Sequence, residues 1–205
     1  MSENATPHSL HDLTRAIIDK IPPAQRFRPQ DAELLLRFGP TLRALEDDLV
    51  RGFYDTVQSH PPMAAIIANG ARTDREQTLR HWWQRTLTGP FDDQYWAWQT
   101  LVGMVHIKVG VKNPMMMGMW GWIVSWLQQQ VRSGALGDLE QGLAVLDSFG
   151  RLVMTAQALT AESYLSNYLE TLIRTTGFKP ALLERMAGNE INRMIAEARR
   201  ELGAI

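Results

Sequence analysis

Cysteine is absent from the 205-residue chain, which excludes disulfides, thiolate metal sites and a cysteine nucleophile. Strand signals are nearly absent as well: there is no sustained apolar–polar alternation and no Asn-Gly or Asp-Gly hairpin turn. An excess of one charge is also lacking, with 21 basic and 22 acidic residues and a formal net charge of -1. No global field therefore favours nucleic acid or an anionic membrane surface. The N-terminus has no basic stretch followed by an apolar core. The most apolar segment, residues 115–127, falls short of the roughly 20 residues that a membrane-spanning helix needs. A soluble cytoplasmic protein is the expectation. With thiols gone, histidine is the only good soft-metal ligand, and there are five: His8, His11, His60, His81 and His106.

What is present is helix punctuation in a chain of ordinary globular composition, 45% hydrophobic and 21% charged. Its length allows one to two domains and a real core. Residues 8–21 read as a short amphipathic helix stopped by Pro22-Pro23. After Pro29, apolar residues from Leu34 to Phe53 recur at spacings of three and four, with a break or kink expected at Gly39-Pro40. His60-Pro61-Pro62 ends that region and leaves room for a short helix over 63–68. Thr73 with Glu76 is a capping-box pattern that opens a helix running to Leu87, before Gly89-Pro90. Asp92 or Asp93 caps the next helix, and Gly110 ends it. Asn113-Pro114 reads as an N-cap followed by a first-turn proline, opening a Met- and Trp-rich helix.

Beyond Gly134 and Gly137, Asp138 with Gln141 opens a last long helix whose apolar rhythm persists to Leu172. At about 1.5 Å per residue this run exceeds roughly 50 Å, longer than a domain of this size is wide. Part of it is expected to project or to pack against a partner chain. Residues 179–202 look like a further amphipathic helix. The reading is an all-α domain with a C-terminal extension.

One imidazole stands apart. His106 lies near the end of an apolar, aromatic-rich helix, with Gly103 one turn before it and the glycine stop at Gly110 after it. It is either a hydrogen-bonded core residue or an axial ligand to a metal in an apolar slot. Gly103, on the same face, would leave room for a flat group to approach. Thr78, Leu79 and Trp82 on the preceding helix share one face and form an opposing wall. A single neutral imidazole at the apolar centre of a helical fold is how a haem iron is usually held.

The segments Phe53-Tyr54-Asp55, Glu76-Gln77-Thr78-Leu79 and Leu87-Thr88-Gly89 with Asp92 and Tyr95 lead to Val102-Gly103-x-x-His106-x-x-x-Gly110-Val111-x-x-Pro114. Together they resemble the protoglobin and globin-coupled sensor family over roughly residues 28–176. The resemblance implies a globin-like fold of the protoglobin type, with an extra N-terminal helix, a long C-terminal helix and a tail. The domain expectation is an N-terminal extension over 1–27, a globin domain over 28–176 and a helical tail over 177–205. It further implies haem b as cofactor, His106 as the proximal iron ligand, Tyr54 as the distal tyrosine and Thr78 as a second distal residue. Val102, Gly103, Leu79 and Trp82 are expected around the group. Family members are dimers through their last two long helices, which implies a homodimer here. Two departures stand out. Where the family usually has an arginine early in the histidine-bearing helix, this chain reads Trp96-Ala97-Trp98-Gln99. Where it usually has a Trp-Tyr pair after the proline, this chain has Met115-Met116-Met117.

The chemistry of such a site requires a neutral imidazole, which burial favours. Its other ring nitrogen should donate to a backbone carbonyl. The Tyr54 hydroxyl would donate to bound oxygen, a bond worth roughly 0.5–1.5 kcal/mol. The resulting function is a gas-binding or gas-sensing globin taking oxygen, carbon monoxide or nitric oxide, with the tail as a route to a signalling partner. Two alternatives stay open: a haem enzyme acting on nitric oxide or peroxide, and a haem-free interaction module. Other residues have plainer readings. His81 faces solvent or a helix seam, with a sixth-ligand role as the alternative; His60 is a loop residue, and His8 and His11 belong to the terminal helix. The seven tryptophans are core, and residues Met115 to Met119 are adaptable packing. Lys108, Lys112, Arg80 and Arg85 are candidate propionate partners. Asp47-Asp48 and Asp92-Asp93 are helix-end charges.

Overall fold

The computed structural model describes residues 9–68, 70 and 72–203. Among them are nine α-helices, one short 3-10 turn and no strand. The helices are α1 (Leu10–Lys20), α2 (Pro29–Ala44), α3 (Glu46–Ser59), α4 (Pro61–Ile67), α5 (Arg72–Thr88), α6 (Asp93–Val109), α7 (Asn113–Arg132), α8 (Leu139–Thr176) and α9 (Pro180–Glu201). None of the described helices is long and apolar enough to cross a membrane. His8 lies outside the described residues.

The sequence punctuation holds at most boundaries and fails at four for physical reasons. Ser9 caps α1, its hydroxyl accepting from the Asp12 N–H. Gly39-Pro40 does not interrupt α2; the helix runs through it and stops at Leu45, whose backbone (φ -95, ψ 4) turns the chain into α3. A proline removes one helical bond, which packing offsets here. Gly39 is small because α2 meets α5 there: a Cβ would lie 2.5 Å from the Leu87 carbonyl oxygen. Thr73 is not a cap, because α5 already begins at Arg72. Asn113 is not the N-cap of α7 either; Lys112 has the extended backbone and Asn113 is the first helical residue. The helix over 63–68 begins earlier, at Pro61, where a first-turn proline costs no hydrogen bond.

The chain divides into two compact units after Tyr164, inside α8. In the first, α5 packs on α2 and α3, α7 on α3, and α1 on α6. Leu35, Leu42, Leu49, Trp83, Leu127 and Phe149 are fully buried at its centre. The second unit holds the end of α8 and α9, joined through Gly177 at φ 70. No residue of α9 is buried, and Met186, Ile191, Met194 and Ile195 are exposed.

One buried charge ties α2 to α8. Asp31, 1% exposed, accepts from the Arg28 N–H (3.0 Å), from Arg151 Nε (2.8 Å) and Nη2 (2.5 Å), and from the Ser148 hydroxyl (3.1 Å). Burial alone would push the carboxyl up, but the Arg151 and Arg28 guanidiniums hold it well below the usual carboxylate range. The folded-state pKa is depressed, so the stabilisation is present above the unfolded Asp value near about 3.9 and is lost as pH falls below it. Asp31→Asn is expected to lower the urea unfolding free energy by about 3–5 kcal/mol, because the guanidinium is left without its counter-charge. The same variant should lose less stability than the parent between about pH 4 and 2. A loss under about 1 kcal/mol contradicts the assignment.

Candidate functional site

Helix α6 is built to present His106. Asp92 caps its start, accepting from the Tyr95 N–H at 2.9 Å. At its other end Gly110 adopts φ 82, a left-handed conformation suited to glycine. The N–H of Val111 then closes onto the His106 carbonyl at 3.0 Å. The helix is anchored sideways as well. The hydroxyls of Thr14 on α1 and Thr100 on α6 meet at 2.7 Å, and Ser163 on α8 donates to the Thr100 carbonyl at 2.7 Å.

Within this frame His106 Nδ1 lies 2.7 Å from the Val102 carbonyl oxygen. That contact makes Nδ1 the protonated nitrogen of the neutral ring and leaves the Nε2 lone pair as the coordinating one. No described residue bonds Nε2. Burial pushes the imidazole pKa below its ordinary value, against the smaller opposing effect of the Val102 carbonyl, so the ring is neutral at neutral pH. No group of three or more His, Asp or Glu side chains among the described residues is placed to hold a metal ion. A single imidazole suits a metal that brings most of its own coordination sphere.

Gly103 serves a different end from the one its spacing suggests. A Cβ there would lie 2.3 Å from the Thr160 carbonyl oxygen and 3.0 Å from Ser163 Cβ. The space is filled by α8, so the glycine lets two helix backbones meet and leaves no gap for a flat group on that side.

The residues expected opposite His106 sit as follows. Tyr54 of α3 is buried, and its hydroxyl donates to the Arg75 carbonyl of α5 at 2.7 Å. Burial raises its pKa to about 12, so it remains a donor. Thr78 is exposed and its hydroxyl donates to the Asp74 carbonyl at 3.1 Å. Leu79 and Trp82 are buried, and Trp82 packs edge-on against Trp120 of α7 at 5.3 Å. Trp83 and Trp126 are core, while Trp96, Trp98, Trp120 and Trp122 are half-buried. His81 is exposed, with its ring 5.6 Å from that of Trp98 across the α5–α6 seam. His60 precedes α4 and His11 is half-buried in α1. Of the candidate cations, Arg80 is held by Glu46 (3.0 Å) and Asp47 (2.6 Å), and Arg85 lies 3.8 Å from Asp92. Lys108 and Lys112 are exposed near the end of α6. Met116 and Met119 are core and Met117 is exposed.

Three buried side-chain polar atoms have no hydrogen-bond partner among the described residues: Trp82 Nε1, Gln99 Nε2 and Asn113 Oδ1. They belong to α5, α6 and α7, one each. Buried polar groups are paired in the great majority of cases, and each orphan costs roughly 1–3 kcal/mol. Sequence reasoning named Trp82 as wall and passed over Gln99. The one signal for Gln99 is an amide inside an aromatic and apolar run, two turns before His106.

A family model of the protoglobins matches residues 18–170. The chain belongs to the protoglobin family. The fold is similar to that of the globin domain of the Geobacter sulfurreducens globin-coupled sensor, with a TM-score of 0.64 at 19% sequence identity. That similarity covers 73% of this chain and 96% of the other. No curated protein matches the chain.

The donor set fits a haem: one neutral imidazole with a committed Nδ1, in a chain of the protoglobin family. Because Gly103 meets α8, Gly103→Ala should lower the melting temperature of the cofactor-free protein. It should do so by several degrees, as about 1–3 kcal/mol of overpacking does in a domain this size. An unchanged melting temperature without cofactor, with loss only in its presence, returns Gly103 to the cofactor face.

Proposed function

We propose that this protoglobin binds haem b through His106 and reversibly takes up a diatomic gas, acting as a gas sensor or gas carrier. The single observation that carries the reading is the His106 ring. Its Nδ1 is bonded to the Val102 carbonyl at 2.7 Å, and its Nε2 has no partner among the described residues. Haem, when bound, would supply an iron able to take up a small ligand. His106 holds and orients it, while Val102 fixes the ring and its tautomer. Leu79 and Trp82 exclude water from the opposite side, with Tyr54 and Thr78 at its edge. Lys108 and Lys112 supply positive charge at the end of α6. Gly103 acts one step removed, by letting α6 seat against α8.

A homodimer through the last two long helices of the globin region, α7 and α8, belongs to the same reading. Met117 on α7 and Leu143 and Met154 on α8 are exposed apolar residues, the kind of surface that a second copy covers. The tail over 177–205 is the proposed route to a signalling partner.

Two measurements test the cofactor. On haem addition the parent should develop a stoichiometric Soret band, and His106→Ala should not; identical haem content and spectra in both refute His106 as ligand. Protons and iron compete for Nε2. Haem affinity should therefore be flat above about pH 6.5 and fall once the pH drops through the depressed pKa of His106. Affinity that rises on acidification would falsify coordination by this imidazole.

A further inference from the structure

Helix α9 lies beyond residues 18–170, which the protoglobin model matches. None of its residues is buried, and no other described helix packs along it. A helix in a folded protein draws most of its stability from packing an apolar face, and an interior glycine such as Gly188 weakens the isolated helix further. Such a face is present. Ala187, Ile191, Met194, Ala198 and Leu202 follow one another at spacings of four, three, four and four, and Ile191, Met194 and Leu202 are each more than half exposed. The interval of eleven residues from Ala187 to Ala198 and from Ile191 to Leu202 corresponds to about 3.67 residues per turn, so the stripe runs almost parallel to the helix axis. It is about 24 Å long.

The charges beside the stripe are sorted by sign. At about 100° per residue, Glu190, Glu197 and Glu201 line one flank, while Arg185, Asn192 and Arg199 line the other. Arg193, on the back of the helix, bonds Glu190 and lies 3.8 Å from Glu197, which steadies the acidic flank. Arg185 and Arg199 have no ion-pair partner among the described residues. With four basic and four acidic residues, α9 has no net charge to draw it to nucleic acid or to an anionic membrane.

We infer that α9 pairs in parallel and in register with α9 of a second copy of this chain, stripe against stripe over residues 187–202. A two-fold axis along such a pair brings the acidic flank of each copy against the basic flank of the other. Glu197 and Glu201 then stand about 3 Å along the axis to either side of Arg199 of the partner subunit. An antiparallel pair sets acid against acid and base against base. Glu184 is in line with the stripe and would meet its own counterpart, so the contact begins at Ala187. The inference deepens the homodimer reading above by adding a contact outside the globin region, and it does not depend on haem.

The chain has no cysteine, so single cysteines report cleanly. In the full-length chain in a glutathione redox buffer, Ala187→Cys and Leu202→Cys should each cross-link to themselves about tenfold faster than Asn189→Cys, whose position is on the back of α9. A mixture of Ala187→Cys and Leu202→Cys should give little mixed disulfide. Added to Leu202→Cys, Arg199→Glu should slow cross-linking by about two- to fivefold. Further addition of Glu197→Arg and Glu201→Arg exchanges the two flanks and should restore the rate. Mixed disulfide as the main product overturns the parallel arrangement. Leu202→Cys cross-linking no faster than Asn189→Cys, in a chain that light scattering shows to be dimeric, overturns the α9 contact alone and leaves the dimer through α7 and α8. A chain that is monomeric at every concentration overturns both. Binding to phosphatidylserine vesicles with loss of the Leu202→Cys cross-link overturns the pairing in favour of a membrane surface.

Discussion

The hydrogen bond between the His106 ring and the Val102 carbonyl has meaning only because α6 itself cannot rotate. A helix free to turn about its axis by one residue would swing the imidazole through 100° or so. Three contacts prevent this: the Thr14–Thr100 hydroxyl pair at 2.7 Å, the Ser163 bond to the Thr100 carbonyl at 2.7 Å, and the backbone approach at Gly103. All three come from α1 and α8. The helix is pinned from behind by α1 and α8 while its other face keeps the imidazole. The N-terminal helix α1, which looks like an appendage, is therefore part of what aims the imidazole.

Hydrogen-bond satisfaction elsewhere in the first unit makes the exceptions meaningful. Asp31 accepts from Arg28, Ser148 and Arg151, and Trp83 and Trp126 both reach acceptors. Thr86 and Tyr95, buried together, meet at 2.9 Å. Against such pairing, the orphaned atoms among the described residues lie on α5, α6 and α7, one each. Desolvating a donor with no acceptor lowers the stability of the cofactor-free protein. The same donor then contributes to binding whatever supplies the acceptor.

The all-α fold and the helix order were legible because they depend on local signals: glycine stops, an Asp cap, three-and-four apolar spacing; the same signals set His106 near the end of α6. The boundaries that failed depend on tertiary contacts. Pro40 stays inside α2 because Gly39 must meet the Leu87 carbonyl, and no local pattern reveals that partner 48 residues away. Gly103 was legible as a close-approach residue but not as to what approaches; the answer, the Thr160 carbonyl, comes from α8. Asp48 reads locally as a helix-end charge, and it is one, yet it also receives the Trp126 indole from α7. The state of each tryptophan N–H was illegible for the same reason. Seven tryptophans look alike in sequence, and only packing separates the paired from the unpaired.

The departures from the family pattern early in α6 have a shared physical consequence. Where relatives usually carry an arginine, Trp96 packs against Phe27, Phe91 and Tyr95 with ring separations of 4.9 to 6.2 Å, and Trp98 faces Tyr95 and His81. This end of α6 is an aromatic cluster with no cation of its own. Arg85 leans toward Asp92 and Arg80 is held by two carboxylates. Positive charge on this helix falls instead at Lys108, beside His106, with Lys112 just past the Gly110 stop. A carboxylate-bearing group seated on His106 would therefore meet its counter-charge at the C-terminal end of α6. The start of the helix would offer it rings and the Gln99 amide.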